Sequence, residues 1–356
     1  MRGLVLTRYG VLGASSRYRS LQYIPSLIEH GFEFDVAPLL DDDYLQRTYL
    51  GKRITYSSVL GSYLRRFGRL LASKQYDFIW LEKEFFPWLP FSVASLALRG
   101  KVPYVVDYDD ALFHQYDRNP SLLIRALYGK NIDKVMKHSA LVIAGNAYLA
   151  QHARGAGAKR IEVIPTVIDI KRYPPYERKK NHILKIGWIG SPSTTKYLHL
   201  IDSALTAVCR DYGATVALIG AREIDSINFP VEYIPWSYET EVQSLQGLDI
   251  GVMPLPDLDW ERGKCGLKII QYMGCSLPVV ASPVGVNSEI VEHGVNGYLA
   301  TNKEEWYRYL SRLLADSELR SRMGRAGRAK VDQSYSLHVM APKITELVKQ
   351  VVMRAG

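Results

Sequence analysis

Short apolar runs, each ending in a polar or glycine-bearing loop, alternate along almost the whole chain with stretches of helical periodicity. In the first half GLVLTRY (3–9), FEFDVAPL (32–39), DFIWLEK (77–83), PYVVDY (103–108), LVIAGN (141–146) and RIEVIPT (160–166) read as strands. Beyond Ile170 the alternation stops at KRYPPYERKKN, where two prolines and a charged run mark a linker over 171–182. A second series follows: ILKIGWIGS (183–191), ATVALIGA (214–221), VEYIPW (231–236), DIGVMPL (249–255) and LPVVAS (277–282). Strands alternating with helices imply parallel sheets covered by helices on both faces. Two such series imply an α/β protein of two doubly wound domains, 1–170 and 183–336, facing a central cleft. The last segment, about 337–356, reads as a helix interrupted by Pro342.

One helical stretch, YSSVLGSYLRRFGRLLASK (56–74), differs in kind. Val59, Leu60, Tyr63, Leu64, Phe67, Leu70 and Leu71 form one face at helical spacing, with Arg65, Arg66 and Arg69 opposite. Two readings stand. One is a helix packed on its own sheet with a solvated basic face. The other is a basic amphipathic helix that docks on an anionic membrane surface.

Composition narrows the class. The chain has 356 residues, 47% hydrophobic and 23% charged, a globular composition whose length favours two domains. Cys209, Cys265 and Cys275 are too few and too scattered for a disulfide framework or a zinc knuckle, so reduced thiols are expected. The N-terminal MRGLVLTRYG opens directly on a strand, unlike a signal peptide. Residues 85–98 are apolar but too short to span a bilayer, and they contain Pro87 and Pro90. These features point to a cytoplasmic protein, with 56–74 as the candidate contact with the inner face of a membrane. A net charge of +9 points to an anionic partner: nucleic acid, a membrane surface or a phosphorylated substrate. Nucleic acid is set aside, because no zinc finger, basic zipper or RNP-type aromatic motif is present.

Ligands of doubly wound sheets bind at the carboxyl ends of the strands, which selects the loops to inspect. After the first strand, Gly10-Val-Leu-Gly13 lacks the full G-x-G-x-x-G fingerprint. Its glycines would admit a ligand and Arg17 and Arg19 would hold an anion, or the loop is a tight turn with two surface arginines. Asp35 lies at the distance of a ribose-binding acid, the only other hint of a nicotinamide-dependent oxidoreductase. In the second half Gly190-Ser191-Pro-Ser193-Thr194-Thr195-Lys196 opens a helix that Ser193, Thr194 or Thr195 can cap. GKCGLKIIQYMGCSLPVVAS (263–282) starts another helix with Lys264 and Lys268 at its N-terminus, where the helix dipole disfavours cations and favours anions. Two phosphate-competent helix starts at one sheet edge suggest a diphosphate. Asp107, Asp109 and Asp110 end the fourth strand, with His114 nearby. They are candidates for substrate hydroxyl binding or acid–base work, or they form an N-cap cluster. Glu82 and Glu84 end the third strand, facing the cleft or solvated.

The second half resembles the retaining glycosyltransferases of family four (glycosyl transferases group 1), which have the two-domain Rossmann-like GT-B fold. Gln271-Tyr-Met273-Gly-Cys-Ser-Leu-Pro278-Val279-Val280 and Ser282-Pro-Val-Gly285-Val-Asn-Ser-Glu289 fit the register of that family's helix and following turn. Val163-Ile-Pro165-Thr-Val-Ile-Asp169 is similar to its domain junction. The resemblance implies an acceptor-binding first domain rejoined by the C-terminal helix, and a nucleotide-sugar-binding second domain. It implies sugar transfer from a nucleotide-diphosphate donor with retention, without a bound metal. The donor site would comprise Gly13, Gly190, Ser191, Lys196, Glu261, Lys264, Gly266, Leu267, Lys268 and Gln271, with Lys196 on the diphosphate and Gln271 on the ribose. The acceptor candidates are Arg17, Arg19, Glu84 and His114. Asp109, Asp107 and Lys196 are the catalytic candidates, Asp109 nearest the reaction.

Two departures stand out. Gly263 occupies the place of the family's first glutamate, and Gln271 that of the second. Glu261 is the candidate replacement carboxylate. The expected function is a glycosyltransferase acting on a saccharide or lipid-linked acceptor, in surface polysaccharide or glycolipid synthesis. The alternative is a GT-B protein with impaired catalysis that serves as a nucleotide-sugar-binding or partner module.

Overall fold

The computed structural model describes residues 1–98, 102–176, 183–225 and 227–354. Residues 177–182, half of the segment read as a linker, lie outside the described residues. The chain forms two compact units, Met1–Thr166 with Met340–Gly356, and Val167–Val339.

The first unit is built on a six-stranded parallel sheet of β1 (Arg2–Leu6), β2 (Glu33–Val36), β3 (Phe78–Glu82), β4 (Tyr104–Tyr108), β5 (Leu141–Ala144) and β6 (Ile161–Val163). Its order is β2-β1-β3-β4-β5-β6. The β3, β4 and β5 segments are buried throughout, which explains why they read as unbroken apolar runs rather than alternating ones. The strand order reverses between β1 and β3, so the loops after these strands open at the switch point. The helices that matter here are α1 (Ala14–Arg19), α2 (Tyr56–Leu71), α3 (Phe91–Leu98) and α4 (Leu122–Tyr128).

The second unit repeats the design with β7 (Lys185–Ile189), β8 (Thr215–Ile219), β9 (Val231–Ile234), β10 (Ile250–Met253), β11 (Val279–Ala281) and β12 (Gly297–Leu299). The order β12-β11-β10-β7-β8-β9 places its switch point between β7 and β10. The three-residue β12 is too short for a periodicity signal, and the sequence reading missed it. Helices α5 (Asp202–Tyr212), α6 (Leu267–Gly274), α7 (Lys303–Ala315) and α8 (Ser317–Ser334) complete the unit. Asn302 starts α7 by accepting from the Glu305 amide, and the helix buries Trp306, Tyr309, Leu310, Leu313 and Leu314 at helical spacing. Those side chains join Ile186, Trp188, Val216 and Val252 in one core. Truncating a buried leucine such as Leu310 to alanine would cost about 2–5 kcal/mol.

The final helix, α9 (Leu337–Met353), runs through Pro342 instead of breaking there. Its first residues belong to the second unit and Met340 onwards to the first. Proline removes one helical hydrogen bond at a cost of about 3 kcal/mol, while the helix buries Met340, Ile344, Leu347, Val348 and Val351. Burial outweighs the lost bond.

The face assigned to 56–74 from periodicity is corrected. Arg66 is buried, its guanidinium donating to the carbonyls of Thr7 (2.5 Å), Ala37 (2.9 Å) and Phe85 (3.4 Å), while Leu60 and Leu64 are 61% and 64% exposed. Three carbonyls accept from the two terminal nitrogens of the buried guanidinium, while its Nε has no hydrogen-bond partner, so α2 sits rotated from the orientation its leucines predict.

Candidate active site

In the first unit the loop after β1 is closed by its own side chains. The Leu12 amide donates to Asp42 (3.0 Å), and a Cβ on Gly10 would meet that carboxylate at 2.4 Å. A Cβ on Gly13 would strike Tyr9. The close approach these glycines permit is therefore internal packing. Arg17 and Arg19 are buried rather than on the surface. Arg17 donates to the Val11 carbonyl (2.8 Å).

Arg19 holds Asp107 at the end of β4 with a two-pronged pair, Nε to Oδ1 at 2.7 Å and Nη2 to Oδ2 at 3.1 Å. Its remaining nitrogen donates to the Ile164 carbonyl and Thr166 Oγ1. Burial pushes the Asp107 carboxyl up to about 6 against the pull of Arg19. Asp109, by contrast, is paired with Lys83 (2.9 Å), which also donates to Ser15 (3.0 Å) and lies 3.8 Å from Asp110. Burial raises the Asp109 carboxyl, but Lys83, Ser15 and Arg19 together outweigh it and the net shift is downward. The same carboxylates raise Lys83 above its ordinary value despite burial. At neutral pH this pair is charged on both sides.

The two glutamates at the end of β3 are enclosed, not solvated. Glu82 accepts from the Arg8 amide (2.8 Å) and from Ser16 Oγ (2.6 Å). Glu84 accepts from the Tyr116 hydroxyl (2.9 Å) and lies 3.7 Å from Arg8. Burial raises both carboxyls. His114 stands apart from them, with Tyr148 (2.7 Å) and Asp117 (2.9 Å) at its ring nitrogens. Asp35 is taken by Arg2 (2.9 Å) and the Tyr76 hydroxyl (2.5 Å).

In the second unit the β7 loop and the start of α6 meet at the switch point. Gly251 in β10 makes room for the Tyr272 ring, which a Cβ there would meet at 2.4 Å. That approach seats α6 on the sheet, and the Ile189 amide donates to Tyr272 Oη at 3.0 Å. Gly266 begins α6 at φ +68°, the left-handed region, where any Cβ would strike Ile290 at 2.3 Å. No acidic residue lies in the first turn of α6, and its leading amides, Leu267 among them, have no partner within the helix.

Lys268 projects back to the β7 loop. Its Nζ lies 4.0 Å from the centroid of the Trp188 ring, and a Cβ on Gly190 would come within 2.6 Å of it. Burial and the charge of Lys264 hold Lys268 well below its ordinary value. The segment after Gly190 is a tight 3-10 run, Pro192–Ile201, and not an α-helix with a Ser or Thr cap. Thr194 and Thr195 hydroxyls turn back to the carbonyls of Ser191 (3.0 Å) and Pro192 (2.8 Å). Lys196 is exposed on this run. Its neighbour Tyr197 donates to Glu261, whose other oxygen is buried without a hydrogen bond. Gln271 is buried, its amide nitrogen donating to Tyr173 Oη at 3.2 Å.

Gly190, Ser191, Lys196, Glu261, Lys264, Gly266, Leu267 and Lys268 thus occupy two touching segments, a cationic site beside free amides. Gln271 lies deeper, against Tyr173. Gly13 lies in the other unit. Sequence reasoning missed Lys83, Trp188 and Tyr197. Trp188 lies inside an apolar strand run and Tyr197 follows Lys196 with no mark of a site, and nothing in LEKEFF marks Lys83 as the residue at φ +64°. Among the described residues, no group of three His, Cys, Asp or Glu is arranged to hold a metal ion. None of the described helices is long and apolar enough to cross a membrane.

Comparison with known proteins agrees with this architecture. The model for "Glycosyl transferases group 1" matches residues 181–316, and that for "Glycosyl transferase 4-like domain" matches 45–166. Spore coat protein SA of Bacillus subtilis (strain 168) is 30% identical over 83 residues, 22% of each chain. Among solved structures, Anabaena HepE in complex with UDP and glucose superposes with a TM-score of 0.70 at 17% identity, covering 98% of this chain and 100% of its own. A glycosyltransferase from Rickettsia africae ESF-5 superposes at 0.69 and 12% identity, covering 99% and 98%. The two matched segments account for most of the chain, and the paired six-stranded parallel sheets are those of the GT-B fold: the protein belongs to the glycosyl transferases group 1.

Proposed function

We propose that the protein transfers a sugar from a nucleotide-diphosphate donor to a saccharide or lipid-linked acceptor, with retention of anomeric configuration and without a bound metal. The observation that carries this reading is the convergence of Lys268 with Gly190, beside an α6 N-terminus free of acidic residues. In this reading Lys196, Lys264, Lys268 and the leading amides of α6 stabilise negative charge on the departing diphosphate. The leaving phosphate takes the acceptor's proton on the same face. Asp109, held charged by Lys83, is the protein group we assign to the acceptor hydroxyl. Asp107 and Arg19 hold the loop that carries it. The complexes of Anabaena HepE with UDP and glucose and with UDP-glucose favour uridine nucleotides as the first donors to test. The setting we infer is cytoplasmic synthesis of a surface polysaccharide or glycolipid.

A panel of nucleotide sugars and their diphosphates tests the reading. At least one should raise the melting temperature and be slowly hydrolysed. If no nucleoside diphosphate stabilises the protein, the proposal fails.

Gly263 in place of the expected glutamate favours a second reading, a nucleotide-sugar-binding module without transfer. Glu261, with its unbonded buried oxygen, is the group that decides between them. An unpaired buried acceptor is costly, so a donor-sugar hydroxyl is its natural partner. Glu261→Gln should lower donor hydrolysis while nucleoside diphosphate binding persists. Equal hydrolysis in the variant removes Glu261 from the sugar site. Binding without any hydrolysis in the unaltered protein supports the module.

A further inference from the structure

The loop that leaves β3 holds two of the three non-glycine residues at positive φ among the described residues, Lys83 at +64° and Trp88 at +61°. Strain of this kind persists only where the surrounding structure fixes it, and it gathers at functional sites. Trp88 is fixed from several sides. Its amide donates to the Tyr116 hydroxyl (3.1 Å), and its ring packs edge-on against Tyr116 and against Tyr128 of α4. Just before it, Tyr63 of α2 donates to the Pro87 carbonyl (2.9 Å). Just after it, Asn131 donates to the Leu89 carbonyl (3.1 Å) and accepts from the Phe91 amide (2.6 Å) at the start of α3. Trp88 is nonetheless 41% exposed. The fold strains its backbone to hold a large, rigid ring at the surface.

A polar pair with unused capacity lies beside that ring. The Tyr116 hydroxyl that accepts from Trp88 also donates to Glu84 (2.9 Å). Among the described residues it is the one donor to that buried carboxylate, which can accept several. Arg8 stands 3.7 Å away, beyond hydrogen-bond length, and its Nε is buried without a hydrogen bond. An oxygen between the two can lie about 2.8 Å from each, accepting from Arg8 and donating to Glu84. Arg8 follows β1 and Glu84 follows β3, the strands between which the order reverses and where ligands of such sheets bind. A sugar ring matches both features. Its C–H face is drawn to the electron-rich face of an indole, and its hydroxyls both donate and accept. An alkyl chain would cover Trp88 but leave Arg8 and Glu84 desolvated without partners, and an anion would meet the Glu84 carboxylate. We propose that Trp88, Arg8 and Glu84 form a subsite for a neutral pyranose of the acceptor, with the ring on Trp88 and one hydroxyl between Arg8 and Glu84. That the pyranose belongs to an acceptor rests on the proposed transfer reaction, whereas its binding is measured without any donor.

The test is saturation-transfer NMR of the full chain with the methyl α- and β-glycosides of glucose, galactose and mannose, in the absence of nucleotide. At least one glycoside should receive saturation, strongest at its ring C–H protons. Trp88→Ala should weaken that binding about tenfold, while Trp88→Phe keeps most of it. Glu84→Gln should also weaken it about tenfold, because the amide is a poorer acceptor than the carboxylate. Circular dichroism checks that each variant folds, and Glu84→Gln, which conserves shape, carries the test if Trp88→Ala does not fold. Saturation of none of the glycosides would overturn the subsite, as would undiminished saturation in Glu84→Gln or in folded Trp88→Ala. Tighter binding of methyl glucuronide than of every neutral glycoside would contradict the neutral ring. Failure of the transfer reading is seen separately, as the lack of stabilisation by any nucleoside diphosphate.

Discussion

The Nζ of Lys268 lies over the indole of Trp188, 4.0 Å from the ring centroid, at the point where β7 ends. A lysine at a helix start, facing an aromatic ring and a second lysine instead of a carboxylate, is a group whose protonated form an anion would stabilise. Replacing it with methionine should weaken nucleoside diphosphate binding roughly ten- to a hundred-fold, the range of a charge-assisted hydrogen bond. The titration gives a second readout. Lys268 sits below its ordinary 10.5 in the free protein, so protonating it costs stability as pH falls through the lowered value. A bound diphosphate raises that value again. Binding should therefore take up protons, and should weaken as pH rises through the bound-state pKa. Calorimetry in buffers of different ionisation enthalpy measures the uptake; none, or the same uptake in Lys268→Met, counts against the assignment.

Gly190 should be intolerant for a local reason. A methyl there would lie 2.6 Å from both Lys268 Nζ and Trp188 Cη2. The lysine can swing away, but the Trp188 ring is buried. Gly190→Ala should cost about 1–3 kcal/mol of stability through overpacking and lower nucleoside diphosphate affinity at least about tenfold. Denaturant unfolding and titration calorimetry check the two parts. Unaltered affinity would place the ligand elsewhere.

Arg19 and Asp107 should behave as a structural pair. Removing one partner leaves an uncompensated buried charge, so Arg19→Met or Asp107→Asn should each cost about 3–5 kcal/mol. The double variant Arg19→Met with Asp107→Leu should recover part of that loss. Urea unfolding of the three proteins reads the coupling. A loss below about 1 kcal/mol in both single variants would show that the pair does not hold the loop.

The Lys83–Asp109 pair makes a different prediction. Asp109 lies below its ordinary 3.8 in the folded protein, so its contribution is complete above that value and fades as pH falls through the lowered one. Asp109→Asn should remove this acid-side loss of stability. If Asp109 meets the acceptor, the same variant should lower turnover about a hundredfold or more while donor binding is retained. Lost donor binding, or full turnover, would contradict that role.

How much of this was legible depended on the range of the interaction. Eleven of the strands read correctly, the central ones because a buried parallel strand is an uninterrupted apolar run, and that signal is local. The loops at the strand ends followed from the same reading, and with them the cationic stretch 263–268. The rotation of α2 was not legible. Periodicity placed its leucines inward, but the acceptors that bury Arg66 come from Thr7, Ala37 and Phe85, far away in sequence. Lys83 was invisible for the same reason, since its partners arrive from the ends of other elements.

The sequence by itself determined two alternating α/β series, the helix start that carries Lys264 and Lys268, and the departure at Gly263. Each is written in neighbouring residues and in a period of local structure. Only the tertiary structure decided which charges are neutralised. It joined Arg19 to Asp107 and Lys83 to Asp109, closed the β1 loop with Asp42, and left Lys268 facing Trp188. Electrostatic partnership depends on a few ångströms across elements distant in the chain, and no pattern along the chain records those distances.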